Sequence, residues 1–150
     1  MHAAEICNRE IVIVNGSETL EEAASMMREY HVGTLVVVNN ADGKRIPLGI
    51  ITDRDIVVGG LALGGNRYKE LRVVDLISPN LITADENDDL LIVLKRMRSA
   101  AVRRIVIVNS KGGLEGILAL DDILMILSEE IADIAKIVSR EQDKEKRVRS

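Results

Sequence analysis

Gly49-Ile50-Ile51-Thr52-Asp53-Arg54-Asp55-Ile56 decides how this chain is read, because it returns further on as Gly116-Ile117-Leu118-Ala119-Leu120-Asp121-Asp122-Ile123. In both copies a glycine leads an apolar run of strand length. Acidic residues then open a helix, where negative charge suits the helix dipole. Working outward, a shift of 70 residues lays 20–28 over 90–98, 32–39 over 102–109, and Ile11-Val12 over Leu81-Ile82. A three-residue difference in the Gly43/Gly113 turn changes the shift to 67, and the two motifs then coincide. Repetition in preserved order predicts a duplicated fold.

Each half reads as a strand near 11–14 or 81–83, followed by a helix over 19–30 or 89–100. Ser17-Glu18-Thr19 and Asn87-Asp88-Asp89 bring oxygen acceptors to the two helix starts. The apolar runs 35–38 and 105–108 have the length and β-branching of strands buried on both faces. Turn chemistry at 39–43 and 109–113 leads to return strands at 48–51 and 114–118, and helices begin at Asp53 and Asp121. The fold class is α/β (α+β): tandem β-α-β-β-α repeats packed with pseudo-twofold symmetry, because one half alone leaves its apolar face open. The divisions are 1–65, 66–130 and a C-terminal extension with charged tail at 131–150, with the glycine-rich stretch 59–70 as linker. Leu124, Leu127, Ile131, Ile134 and Val138 recur at alternating spacings of 3 and 4. That seam either covers its own domain or meets another helix. Residues 140–150 are expected to fray.

With 150 residues, 47% apolar and 29% charged, the chain can bury a core. No apolar run approaches the roughly 20 residues of a membrane span, and the first ten residues lack a signal-peptide core, so the expected location is cytoplasmic with no membrane partner. A net charge of −4 and only two tyrosines, Tyr30 and Tyr68, argue against general nucleic-acid binding. A local basic patch of Arg96, Arg98, Arg103 and Arg104 is the alternative there. Cys7 is the only cysteine, and His2 and His31 are the only histidines, so no metal site is expected. Met26, Met27 and Met97 sit at core spacing.

The duplication and the two motifs resemble a pair of cystathionine-beta-synthase (CBS) domains, a Bateman module, over about residues 5–130. The first motif matches the Gly-apolar-x-Ser/Thr-x-x-Asp signature of that family, and the second keeps the aspartate without the hydroxyl. The resemblance implies that Asp55 and Asp122 accept the ribose diol of an adenosine-containing ligand, that Thr52 faces phosphate, and that Arg103 and Arg104 are directed at phosphates. A carboxylate can take both diol protons, and guanidinium forks suit phosphate oxygens. On the residues alone, both aspartates also serve as helix starters and one or both arginines as partners of surface carboxylates. The resemblance further implies that each pocket joins the motif of one repeat to the early strand of the other. Around Asp55 it gathers Thr52, Arg54, Leu81, Ile82, Thr83, Ala101, Val102, Arg103 and Arg104. Around Asp122 it gathers Ile11, Val12, Ile13, His31, Val32 and Gly33, with Ala119 in place of a hydroxyl, and this second pocket reads as the poorer one. His31 also suits an exposed cap at a helix C-terminus.

No nucleophile with a base, no phosphate loop and no metal triad is legible, so a catalytic role and a catalytic cofactor are not expected. The expected function is a stand-alone regulatory sensor of an adenosine nucleotide, AMP, ADP or ATP, with S-adenosylmethionine and NAD as further candidates. It would act as a homodimer on a protein effector in trans. The alternative is a ligand-free interaction scaffold.

Overall fold

The computed structural model describes residues 1–39, 43–78 and 80–149, so part of the turn expected at 39–43 and the final Ser150 lie outside the described residues. The elements run α1 (Ala3–Ile6), β1 (Ile13–Asn15), α2 (Leu20–Tyr30), β2 (Thr34–Asn39), β3 (Ile46–Thr52) and α3 (Asp53–Gly59). They continue as β4 (Thr83–Asp85), α4 (Leu90–Ala100), β5 (Arg104–Val108), β6 (Leu114–Ala119) and α5 (Leu120–Arg149). The duplicated α+β architecture read from the sequence is the one observed. The short first strands begin two residues later than expected, at Ile13 and Thr83, where pairing with Val36 and Val106 begins.

Each half folds by the same local chemistry. Thr19 accepts from the Glu22 amide at 3.1 Å and Glu22 reaches back to the Thr19 amide at 2.9 Å, a capping box that starts α2. Asp89 caps α4 by accepting from the Leu91 amide. Both helices end on a left-handed residue, His31 at φ 54° and Ala101 at φ 53°. These helices cross over between parallel strands, β1 to β2 and β4 to β5, and β3 and β6 then return antiparallel. One bulge at Val37/Val38 and another at Ile107/Val108 complete the likeness.

Leu20, Ala23 and Met27 of α2 pack on Leu35, Val37 and Ile51 in the first core. Leu90, Val93 and Met97 pack on Ile105, Ile107 and Leu118 in the second. Strand alternation sends Val36, Val38 and Val106 the other way. All three are fully buried yet belong to neither helix-side core, so the two sheets bury these faces between the halves.

The division at residue 65 follows chain order, whereas in space the opening segment lies on the second half. The amides of Ala3 and Ala4 donate to Asp88 and Glu86 carbonyls, and Ala3 is fully buried in the second core. Val73 and Val74 do the reciprocal service for the first half, donating to Glu18 and Gly16. This exchange explains the motif glycines. A Cβ on Gly116 would stand 2.7 Å from Cys7 Sγ and 2.9 Å from the Asn8 carbonyl, and one on Gly49 would stand 3.0 Å from Ile77 Cβ.

Two expectations need correction. The stretch 59–70 is not a free linker: it folds into 3-10 turns at Leu61–Leu63 and Arg67–Glu70, with Tyr68 and Leu71 packed on the first core. Residues 140–149 do not fray, because α5 runs unbroken to Arg149. No proline or glycine interrupts it, and Asp143 and Arg147 have the favourable acid-first i, i+4 order.

Candidate functional site

Two clefts related by the pseudo-twofold open where the halves meet. The larger, about 260 Å³, is lined by Ile11 and Val12 ahead of β1, by Val32, Gly33, Thr34 and Val36 around the start of β2, and by Ile117, Ala119 and Asp122 at the β6–α5 junction. Asn8, Glu10 and Arg104 complete it. The smaller, about 170 Å³, is lined by Leu81, Ile82, Val102, Arg104, Gly49 and Ile50, with Ser78 and Asn80.

The junction of β6 and α5 presents Asp122 in the first turn of a long helix. Its carboxylate makes no hydrogen bond or ion pair among the described residues. The equivalent Asp55 is engaged. Its Oδ2 accepts from the Thr52 amide at 2.8 Å while Thr52 Oγ1 accepts from the Asp55 amide at 3.2 Å, so both groups cap α3. Neither lines the smaller cleft.

The arginine pair divides. Arg103 donates to Asp121 at 3.1 Å in an exposed ion pair. Arg104, at the first position of β5, has no side-chain partner among the described residues and lines both clefts. The cleft-facing groups therefore comprise two carboxylates, an amide, a hydroxyl, one cation and aliphatic walls in the larger cleft, against hydroxyl, amide, cation and aliphatic walls in the smaller.

Of the residues expected around Asp122, the cleft brings together Ile11, Val12, Val32, Gly33 and Ala119, and leaves out Ile13 and His31. Ile13 is already within β1, and His31 is an exposed left-handed cap of α2. Of those expected around Asp55, Leu81, Ile82, Val102 and Arg104 come together. Arg54 points outward from α3, Thr83 is within β4, Ala101 is the exposed cap of α4, and Arg103 is held by Asp121. The expected ranking rested on Thr52, Asp55 and Arg103 facing a ligand, and the structure commits all three elsewhere.

Sequence reasoning missed Asn8, Glu10, Ser78 and Asn80. The signal was present, since the 70-residue shift lays Asn8 on Ser78 and Glu10 on Asn80, immediately ahead of the two early strands. It also gave Arg104 to one cleft only. No cluster of three or more His, Cys, Asp or Glu side chains that could hold a metal exists among the described residues. No helix there is long and apolar enough to cross a membrane.

An uncharacterised protein of Methanopyrus kandleri is 33% identical over 139 residues, 93% of this chain and 69% of its own. Hypoxic response protein 1 of Mycobacterium tuberculosis is 33% identical over 127 residues, 85% of each chain. The crystal structure of Hypoxic Response Protein I, with two coordinated zinc ions, matches with a TM-score of 0.70 at 31% identity, over 83% of this chain and 98% of that one. A CBS domain of the bacterial CNNM/CorC family Mg2+ transporter, solved in complex with ATP, shares the fold with a TM-score of 0.71 at 22% identity, over 83% of this chain and 84% of that one. The family model for the CBS domain matches twice, at residues 3–59 and 73–129, and its second match begins at Val73, the residue that mirrors Ala3. With its whole duplicated body so matched, this chain belongs to the CBS-domain family.

Proposed function

We propose that the chain is a regulatory module that binds an adenosine-containing nucleotide in the cleft at Asp122. The observation that carries this reading is the convergence on one cleft of an unengaged carboxylate and an unengaged guanidinium across aliphatic walls. Asp122 accepts the ribose diol protons, Ile11, Val12 and Val32 flank the base, and Arg104 takes the phosphate. The volume of about 260 Å³ falls just below the usual span of ligand pockets, roughly 300–1,000 Å³, so AMP is preferred over a dinucleotide. The ATP-bound transporter domain lends the reading support at the level of fold only.

The exposed apolar residues of the helices are the module's means of reporting. Val57 and Val58 of α3 and Leu124 and Met125 of α5 lie open, as do Ile131, Ile134 and Val138 along the seam of α5. A second copy covers them in a homodimer. Residues 121–133 of α5 carry only acidic charges and residues 136–149 are mainly basic, so two such helices complement one another when antiparallel. Nucleotide binding then shifts the association or shape of the dimer by its differential affinity for two states, and a partner protein reads that state.

Thermal melts of the wild-type chain with AMP, ADP and ATP, alongside Asp122→Ala, test the site. One nucleotide raising the melting temperature, with the effect lost in Asp122→Ala, supports it, because a ligand of the folded state stabilises by mass action. Absence of any shift at millimolar concentration overturns it and favours a ligand-free scaffold. The Thr52–Asp55 cap and the Arg103–Asp121 pair are the observations on that second side.

A further inference from the structure

The pseudo-twofold gives the chain two clefts but one cation to serve them. Among the described residues Arg104 is the only basic side chain that lines either cleft, and it lines both. Its twofold mate is Thr34, which lines the larger cleft and carries no charge. Arg103 does not supply a second cation: it lines neither cleft and pairs with Asp121 at 3.1 Å on the surface. The larger cleft also carries two carboxylates, Glu10 and Asp122, whereas the smaller offers only the neutral Ser78 and Asn80 beside Arg104.

Charge-assisted bonds from arginine to phosphate are the strong polar contacts of such a site. A phosphate in the larger cleft faces Glu10 and Asp122 and depends on Arg104 to offset them. Once Arg104 turns to that phosphate, an anion in the smaller cleft meets dipoles alone and a like charge across the shared residue. We propose that Arg104 makes the two clefts compete for phosphate-bearing ligands, so that filling one weakens the other. This rests on the nucleotide reading above and adds its regulation: the second anion binds more weakly because the first has drawn the common cation. Coupling between sites is reciprocal, so the order of filling does not change its size.

The test uses the full chain and AMP, titrated calorimetrically into wild type, Arg104→Ala, Arg104→Lys and Thr34→Arg, each checked for an unchanged melting curve. Wild type is expected to bind one AMP per chain, with a second weaker by about 5- to 150-fold. Thr34→Arg restores the missing mate and is expected to bring the second affinity to within a few-fold of the first. Arg104→Ala weakens the first event and abolishes the gap, while Arg104→Lys keeps a gap because charge, more than the fork, carries the competition. Adenosine, which has no phosphate, competes with bound AMP for the larger cleft alone and leaves the smaller one unaffected. Two equal AMP sites in wild type, or a second site in Thr34→Arg as weak as before, overturn the shared-cation proposal and leave the nucleotide reading standing. No AMP binding by wild type or any variant overturns the nucleotide reading and the coupling with it.

Discussion

The two strand-to-helix junctions share a backbone but differ in sequence, Thr52-Asp53-Arg54-Asp55 against Ala119-Leu120-Asp121-Asp122, and only the copy with a hydroxyl closes a reciprocal cap with its last carboxylate. At the first, Thr52 and Asp55 close a reciprocal cap over the start of α3. At the second, Ala119 brings no hydroxyl to accept from the Asp122 amide, and the Asp122 carboxylate stays uncommitted in the larger cleft. From the motif alone the hydroxyl reads as an asset to a ligand site. In the folded chain it spends its partner on the helix, so the plainer copy of the motif is the better equipped for a ligand. A local cap forms at almost no chain-entropy cost, whereas a ligand must be recruited from solution.

The sharpest way to break this comparison is to truncate both aspartates. Asp122→Ala is expected to weaken AMP binding by more than tenfold, the scale of losing a hydrogen bond of about 1.5–3 kcal/mol to a charged group. Asp55→Ala should leave AMP affinity within twofold and lower unfolding free energy by about 1 kcal/mol, the typical worth of a cap. Paired calorimetry and denaturant titration read both quantities. Equal losses of affinity would mean that the two junctions are not divided in this way.

Packing behind the junctions differs in the same direction. A methyl on Gly116 meets both Cys7 Sγ and the Asn8 carbonyl, a backbone atom that cannot rotate aside, while one on Gly49 meets only the Ile77 side chain. Gly116→Ala is therefore expected to destabilise toward the upper part of the 1–3 kcal/mol range for overpacking, about 2–3 kcal/mol, and Gly49→Ala by about 1 kcal/mol. Equilibrium unfolding in guanidinium distinguishes them. Equal costs would show that the opening segment yields as readily as Ile77 does.

Ala119→Thr sharpens the comparison by converting the second junction into the first. The new hydroxyl is expected to add about 0.5–1 kcal/mol through a cap on α5. It should also draw Asp122 back to the residue 119 amide and weaken AMP by about two- to fivefold, the scale of one neutral hydrogen bond. A variant that gains stability and binds AMP more tightly would restore the hydroxyl to the role its family resemblance implies.

The duplication was legible because it is written in aligned residues: strands, helices and motif glycines recur at one spacing, and each repeat builds the same sheet. What the sequence did not disclose was which half an element serves. Ala3 reaches Asp88 across the rest of the first repeat and into the second, and a helix of four residues has too little periodicity to announce a partner. Asp55 was ambiguous for a physical reason, since a helix start that welcomes a ligand's oxygens welcomes the chain's own. Arg103 and Arg104 are adjacent in sequence and point to opposite faces of an edge, so their separate fates follow from strand geometry and from Asp121, 18 residues on. The tail of α5 read as solvated charge because composition hides the i, i+4 order that keeps it helical.

The smallest expected difference between the halves is a pH dependence confined to one of them. Cys7 and Ile77 occupy mirrored places against the motif glycines, and only Cys7 titrates. Burial pushes its thiol above the ordinary 9.0, outweighing the pull of Arg9. The fold therefore favours the protonated thiol. Its contribution to stability is complete below the ordinary thiol value and is lost as pH rises through the raised one. Thiol labelling of native protein at pH 8 is expected to run slower than that of the unfolded chain, and the difference should narrow as pH rises through the raised value. Unfolding free energy should decline slightly over the same window in wild type and not in Cys7→Ala, because Ile77 offers the other half no proton to lose. A decline that survives Cys7→Ala would assign the effect to other groups and leave the two halves alike in their response to base.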